Sequence, residues 1–515
     1  MSMILPPHNQ RALRLLVSAC LLLIFLLPWS HQAFAAESYA IFSLNAQFDA
    51  LTINKARKLY RGKTRLLQGQ RIELSDWPET SVERTEFYRY LLNKNLAQMN
   101  AHWASLSFSG KARPPKVIDQ PSIEILLAWM REQPNRIGYA PVDSLPSDAH
   151  VLYVVSSENE MKRSLLAVLI SSVAFPSLAT VELTDNLSLS GFGSIAWAQS
   201  DNETSLLVNR FIDDDSCFDC DTTFGLQLDY FYQAFRASVQ VVKRPQDHWS
   251  EPKVEWAYLA YTYNNVEIRG GRLRLPVFLI SEYNYVGQAF TTARPPNEVY
   301  DSILGITAYD GLSFRWNYDL NENVMITAMP FVGYGYSSDV TISEDTDISI
   351  DTNYSAGLNL TLSGDNYRWN FAYLNAEYDQ TTVLSNAMQP IPGQGSAAGT
   401  IRLKDEDQHI QLFSLGAKYE FDRITVTAEG QTSDISTSWY AAASYNLNKF
   451  TPYVVYGQQF DDNEKKTGDS VLTGLRFDVD YNVSVNAEWQ HFNAFNNDSG
   501  AFLSHQPIPM PTSTR

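Results

Sequence analysis

Along Asn482–Phe492 the chain sorts its residues by parity. Asn482, Ser484, Asn486, Glu488 and Gln490 take even positions, and Val483, Val485, Ala487, Trp489 and His491 take odd ones. Successive side chains of a strand point to opposite faces, so this stretch is a ribbon with one polar face and one largely apolar face. In a soluble sandwich the apolar face meets a core; in a membrane barrel it meets lipid, and the polar face meets a wet lumen. The same period-two texture recurs beyond about residue 176, in LSLSGFGSIAWAQ, TFGLQLDYFYQ, ASVQVVKR, VEWAYLAYTYN, YRWNFAYLNAEY and ITVTAEGQT among others. Many of these runs are about ten residues long, with aromatics near their ends, and short hinges such as Asp365-Asn366 alternate with long polar inserts. This pattern predicts an antiparallel transmembrane β-barrel of about 16 strands over 185–495, followed by a tail at 496–515.

The preceding segment has another texture. TINKARKLYRG offers Thr52 as a helix cap, apolar Ile53, Ala56, Leu59 and Tyr60, and a terminating Gly62. SVERTEFYRYLLNKNLAQMNAHWASL continues the helical pattern, with Ser81 as cap and Phe87, Leu91 and Leu92 on one stripe. YAIFSL and HVLYVV have the look of buried strands. Residues 36–175 are therefore expected to form a small α/β domain.

Charge separates the same two parts. Glu37–Phe175 carries 17 Lys+Arg and 14 Asp+Glu, whereas Pro176–Arg515 carries 20 and 43. A net charge of −18 for the whole chain argues against nucleic acid as a partner. At the start, Arg11 and Arg14 precede an apolar run from Leu15 to Leu27, and Ala33-Phe34-Ala35 precedes Ala36, which reads as a cleaved secretory signal over 1–35. Two cysteines remain after it, Cys217 and Cys220 in DDDSCFDCD, and in an exported chain they are expected to form a local disulfide.

Two resemblances attach to particular residues. LTINKARKLYRGK, SVERTEFYRYLL, HWASLSFSGKARPP and NRIGYAP, in that order, resemble the phosphate-binding-like periplasmic domains related to substrate-binding proteins of ABC importers. The resemblance implies binding of a small anion such as phosphate at ETSVERTEF, by Thr80, Ser81 and Arg84, although the family's Ser-Gly-Thr is missing there. The second part is similar to gram-negative general porins, on GFGSIAWAQ, GLQLDYFYQAFRASVQVV and the irregular block VEIRGGRLRLPVFLISEYNYVGQAFTTARPPNEVY. That likeness implies an outer-membrane homotrimer in contact with lipid and lipopolysaccharide, with the block after the fifth or so strand folded into the pore.

Within that block the apolar parity switches after Gly270-Gly271, and a bulge there would turn Arg269, Arg272 and Arg274 toward the lumen as a pore-lining ladder, with Arg294 a further candidate. The alternative is that these arginines pair with Glu267, Glu282 or Glu298 and hold the loop. The acidic run Asp213, Asp214, Asp215, Asp219 and Asp221 is expected in a solvated extracellular loop. No catalytic constellation, metal spacing or cofactor motif stands out, and the histidines are scattered. The function expected from sequence is passive diffusion of small solutes through an outer-membrane porin with an anion-binding periplasmic domain; the alternative is a ligand-less domain acting as plug, spacer or docking module.

Overall fold

The computed structural model describes residues 38–156 and 180–503, with 209, 246–251, 304, 344–345, 392–394 and 497 left out. The expected signal at 1–35 and the expected domain boundary near 175 lie outside the described residues.

The first part builds one mixed sheet from β1 (Ser38–Ser43), β4 (Glu73–Asp76), β5 (Lys116–Val117), β6 (Arg136–Pro141) and β7 (His150–Ser156), in the order β5-β4-β6-β1-β7. A small hairpin, β2 (Leu66–Leu67) and β3 (Gln70–Arg71), stands apart. Helices α1 (Ile53–Tyr60), α2 (Val82–Leu92), α3 (Leu96–Phe108) and α4 (Ile123–Glu132) surround the sheet, and Phe42, Tyr60, Phe87, Leu91 and Tyr139 form the centre of its core. Thr52 caps α1 by accepting from the Lys55 N–H at 3.3 Å, and Gly62 leaves the helix with φ +65°.

The long helical pattern after Ser81 is not one helix. Asn93 adopts a left-handed conformation (φ 53°) that ends α2, and Asn95 then opens α3 with a capping box to Gln98. Short polar side chains tolerate that conformation and compete with the helix for its own backbone, so Asn-Lys-Asn breaks a helix that the apolar stripe alone would continue.

The second part is a single sixteen-stranded antiparallel sheet in sequential order. Its strands are β8 (Thr180–Thr184), β9 (Leu187–Ser194), β10 (Thr223–Tyr232), β11 (Phe235–Lys243), β12 (Lys253–Tyr263), β13 (Val266–Arg274), β14 (Ala308–Asp319) and β15 (Met325–Ser343). They continue as β16 (Thr346–Ser363), β17 (Tyr367–Ile391), β18 (Gly395–Phe421), β19 (Ile424–Ser433), β20 (Thr437–Tyr445), β21 (Phe450–Phe460), β22 (Lys466–Asp480) and β23 (Val483–Ala494). The sheet begins at Thr180, a strand earlier than the sequence pattern suggested. Among the described residues no ladder joins β8 to β23, although beyond β23 the Leu207 N–H donates to Ala501 O and the Leu503 N–H to Ser205 O, tying residues 501 and 503 to the β9–β10 connection.

The sheet's polarity is inverted relative to a soluble sandwich. On β10, Leu226 is 61% exposed while Gln227 and Asp229, on the other face, are buried. On β23, Val485 and Trp489 are 57% and 62% exposed, while Asn486, Glu488 and Gln490 are half-buried against other parts of the chain. Leu259, Leu312, Leu415 and Leu475 continue the exposed apolar face around the sheet.

Candidate functional site

The segment from Leu275 to Thr307 follows the sixth strand of the sheet, β13, and crosses the inner face. Its anchors name the strands it passes. Asn359 on β16 donates to Pro276 O at 2.6 Å, and Ser414 on β18 donates to Val277 O. Glu429 on β19 accepts from the Leu279 N–H at 2.6 Å and from the Tyr300 hydroxyl at 2.9 Å. Arg476 on β22 donates to Phe290 O at 2.7 Å, and Asn486 on β23 donates to Thr291 O at 2.7 Å. A short helix, α5 (Asn297–Tyr300), closes the segment, and its Glu298 accepts from Ser470. The polar face of β23 thus meets the backbone groups of an irregular segment, which need hydrogen-bond partners wherever they are buried.

The α/β domain occupies the short-turn side of the sheet. Lys58 donates to Asp319 at 2.7 Å and to Asn321 O at 3.1 Å beside the β14–β15 turn. Arg61 meets Asp365 at 2.9 Å and Lys63 donates to Gly364 O at 2.5 Å in the β16–β17 turn. Lys94 pairs with Glu420 before the β18–β19 turn, and Asn95 donates to Asn448 O at 3.4 Å in the β20–β21 turn. Asn100 reaches Tyr481 O and Asn482 in the β22–β23 turn, Arg71 reaches Gln233 O in the β10–β11 turn, and Arg113 meets Glu182 on β8 at 2.7 Å. One small body therefore touches both ends of the sheet, and the sheet must curl around it.

Contact continues inside. Ala104 and Phe108 of α3 pack on Tyr283 and Val286 of the inward segment, with Phe192 of β9 edge-on to Phe108 at 4.9 Å. Wall side chains take up the carbonyls at the end of α3: Gln227 donates to Ser107 O at 3.1 Å and Arg236 to Gly110 O at 2.7 Å. Lys111 meets Glu282 of the inward segment at 2.5 Å. These groups were not visible in the sequence, because each belongs to an ordinary solvated pattern until the other part of the chain is placed beside it.

The residues singled out from sequence have definite partners. Ser81 caps α2, accepting from the Arg84 N–H at 3.2 Å. The Arg84 guanidinium turns into the domain, where its Nε lies 3.2 Å from Asp76, and it donates to Asn100 Oδ1 and to Trp77 O. Asp76 also accepts from Tyr88 at 2.7 Å and Tyr139 at 2.5 Å. An internal carboxylate thus occupies the guanidinium expected to meet a solute anion; Thr80 lies in the exposed turn before the cap.

The strand registers on both sides of β13 run through Gly270-Gly271 without the expected bulge, although Gly271 has φ +131°. Arg269 is buried and meets Glu282 at 3.6 Å and Glu267 at 3.8 Å. Arg272 pairs across the strands with Asp310 at 2.8 Å, and Arg274 with Glu255 at 2.5 Å. Arg294 meets Asp221 at 2.8 Å and Gln490 at 2.6 Å. The arginines are held by carboxylates, so none presents an unopposed charge. Asp221 also binds Arg210 at 2.6 Å, so part of the acidic run is structural, and Cys217 and Cys220 are joined in a disulfide.

No family model and no curated protein matches the chain. Among solved structures it is similar to a complex of Salmonella typhi OmpF with daunomycin, at 14% identity and TM-score 0.40, over 61% of this chain and 92% of that one. It is similar to an anion-selective porin from Comamonas acidovorans at 11% identity and TM-score 0.41, over 61% and 92%. An ABC-type phosphate transport receptor from Vibrio cholerae matches at 14% identity and TM-score 0.18, over 23% of this chain and 46% of that one.

Proposed function

We propose that the chain is an outer-membrane β-barrel for passive diffusion of small solutes, with its α/β domain seated in the periplasmic mouth as an internal plug. The observation that carries this reading is the inverted polarity of the sheet, with leucines outward and Gln227, Asp229, Asn486 and Gln490 inward. Exposed apolar area of that extent needs a lipid partner, and an inner polar face suits a wet lumen. Closure of sixteen strands is favoured because an open edge is a pairing liability, and in lipid its backbone groups would have no partner. Bacterial barrels keep their short turns on the periplasmic side, and the domain docks on short turns, which supports a periplasmic location.

The plug role is preferred over a phosphate-receptor role at Thr80, Ser81 and Arg84 because Asp76 already neutralises Arg84, while the rim contacts run from Glu182 to Asn482. Transport is then down a solute gradient around the domain, and a homotrimer is the assembly proposed from the likeness to general porins. The test is fractionation of the expressed protein followed by reconstitution in planar bilayers. Recovery with outer membranes as a heat-modifiable species that conducts ions supports the proposal; recovery as a soluble periplasmic protein overturns it.

A further inference from the structure

Between the end of α1, the inner side of α3 and the wall of the sheet lies a cavity of about 410 Å³. Its lining carries nine Lys and Arg side chains against three carboxylates, Asp365, Glu420 and Asp478, in a chain whose net charge is −18. Each of those carboxylates is already engaged: Asp365 by Arg61, Glu420 by Lys94 and Lys418, and Asp478 by Arg476. Glu282 on the inward segment and Glu267 on β13 answer Lys111 and Arg315. Lys63, Arg368 and Arg423 line the same cavity with no ion pair among the described residues.

The wall assembles this charge against a local cost. The β17–β18 register sets Arg368 directly across from Lys418, and like charges in directly opposed strand positions repel. The Arg368 Nε is buried and has no hydrogen-bond partner, an arrangement that protein interiors rarely leave unfilled. On the domain side, burial first and the neighbouring Arg61 second hold Lys63 down at about 8, the sign of a cation lacking an adequate counter-charge.

We infer that this chamber is a binding site for a small oxyanion carrying two or more negative charges, phosphate- or carboxylate-based, held between Lys63 of the plug and Arg368 and Lys418 of the wall. The inference rests on the proposed reading of the lumen. A cavity of this size lies within the range typical of small-molecule sites. Guanidinium and ammonium donors suit oxyanions, and a partly dry, cation-rich chamber strengthens their pull. The site is separate from Thr80, Ser81 and Arg84. It would concentrate anions in the interior of a chain whose net charge is −18.

The experiment is calorimetric titration of the full chain in detergent with pyrophosphate, with citrate and glucose in parallel. Pyrophosphate and citrate should bind and glucose should not. Lys63→Gln/Arg368→Gln should weaken pyrophosphate binding at least about tenfold, the size of one lost charged hydrogen bond. Lys63→Arg/Arg368→Lys should keep it within a few-fold, and Lys55→Gln, at the exposed rim, should leave it unchanged. Heat-modifiable migration of each variant shows that the barrel is intact; removing one of two facing cations does not threaten it. Absence of pyrophosphate binding to the folded parent, or equal affinity in the double Gln variant and the Lys55 control, overturns the inference. Because the readout is binding, a chain that binds anions without conducting would refute the diffusion reading and leave the site standing.

Discussion

Arg368 on β17 and Lys418 on β18 are register partners, two cations face to face inside the sheet. Glu420 satisfies Lys418 at 3.0 Å and also takes Lys94 from the docked domain, so the wall's excess charge falls on Arg368 and is shared with Lys63 across the gap.

That arrangement predicts a pH dependence. Burial, joined by Arg61 beside Lys63, lowers Lys63 from 10.5 to about 8, and burial also lowers Lys111 to about 8 despite Glu282. Both are cations well below pH 8, so the affinity for citrate, which is fully ionised at pH 7.5 and 9 alike, should decline as pH rises through 8 toward 9. Folding should move the other way. A lysine whose folded value lies below its unfolded one leaves the folded state binding fewer protons, so stability rises between about pH 8 and 10.5. Titrations and denaturant curves at pH 6.5, 7.5 and 9 check the two trends, and a flat binding profile would contradict this account of the chamber.

The Arg84–Asp76 pair makes a separate prediction. Replacing one member of a buried ion pair strands its partner, at a cost of roughly 3–5 kcal/mol. Arg84→Gln should destabilise the domain by that order, read as a urea transition of the helical circular dichroism signal, to which the sixteen-stranded sheet adds little. Phosphate affinity of the folded chain should not change. A loss of phosphate binding with unaltered stability would restore Arg84 as a ligand.

Docking of the α/β domain is ionic where it meets the turns, with Arg61 on Asp365 and Lys94 on Glu420. Arg61→Glu/Lys94→Glu sets carboxylates against carboxylates. Surface pairs are worth only roughly 0.2–1 kcal/mol each, but these two are partly buried and reversal adds repulsion at two turns at once. The variant should show larger and noisier single-channel conductance than the parent, with unchanged heat-modifiable migration. Identical conductance would argue that the domain does not limit the path.

Glu282 is the common counter-ion of Lys111, Arg269 and Arg315. Burial alone would raise its carboxyl, but those three cations outweigh burial and bring it from 4.5 to about 2. The stability it contributes is present above its unfolded value and is lost as pH falls from about 4.5 through 2. Acid should therefore loosen the α3–segment contact, and Glu282→Gln should mimic acid at neutral pH, seen as faster proteolysis of the domain. Equal proteolysis of variant and parent at neutral pH would show that Glu282 does not hold the contact.

Much of the sixteen-stranded sheet was legible in the sequence, because period two writes the two faces of a strand directly into the order of residues. The parity of Asn482–Phe492 predicted which side chains of β23 meet the interior. The break at Asn93 was legible in Asn-Lys-Asn but masked by the continuing apolar stripe. The partner of Arg84 was not legible, because a guanidinium near a helix start reads the same whether its partner is a solute or Asp76, eight positions earlier. The chamber was not legible at all. Lys63, Lys111, Arg368 and Lys418 lie far apart in sequence, each beside ordinary polar neighbours, and only the docking of the domain into the sheet makes them one cluster.

If the outward face of the sheet lies on lipid, as proposed, the alternation along β23 must report it. Single cysteines at 483 to 491, spin-labelled in the full chain reconstituted into vesicles, should show period-two accessibility. Val483, Val485, Ala487 and Trp489 positions should favour collisions with membrane-dissolved oxygen, while Ser484, Asn486, Glu488 and Gln490 positions should not. An absence of alternation, or odd positions open to a water-soluble relaxation agent, would contradict the barrel and the function built on it.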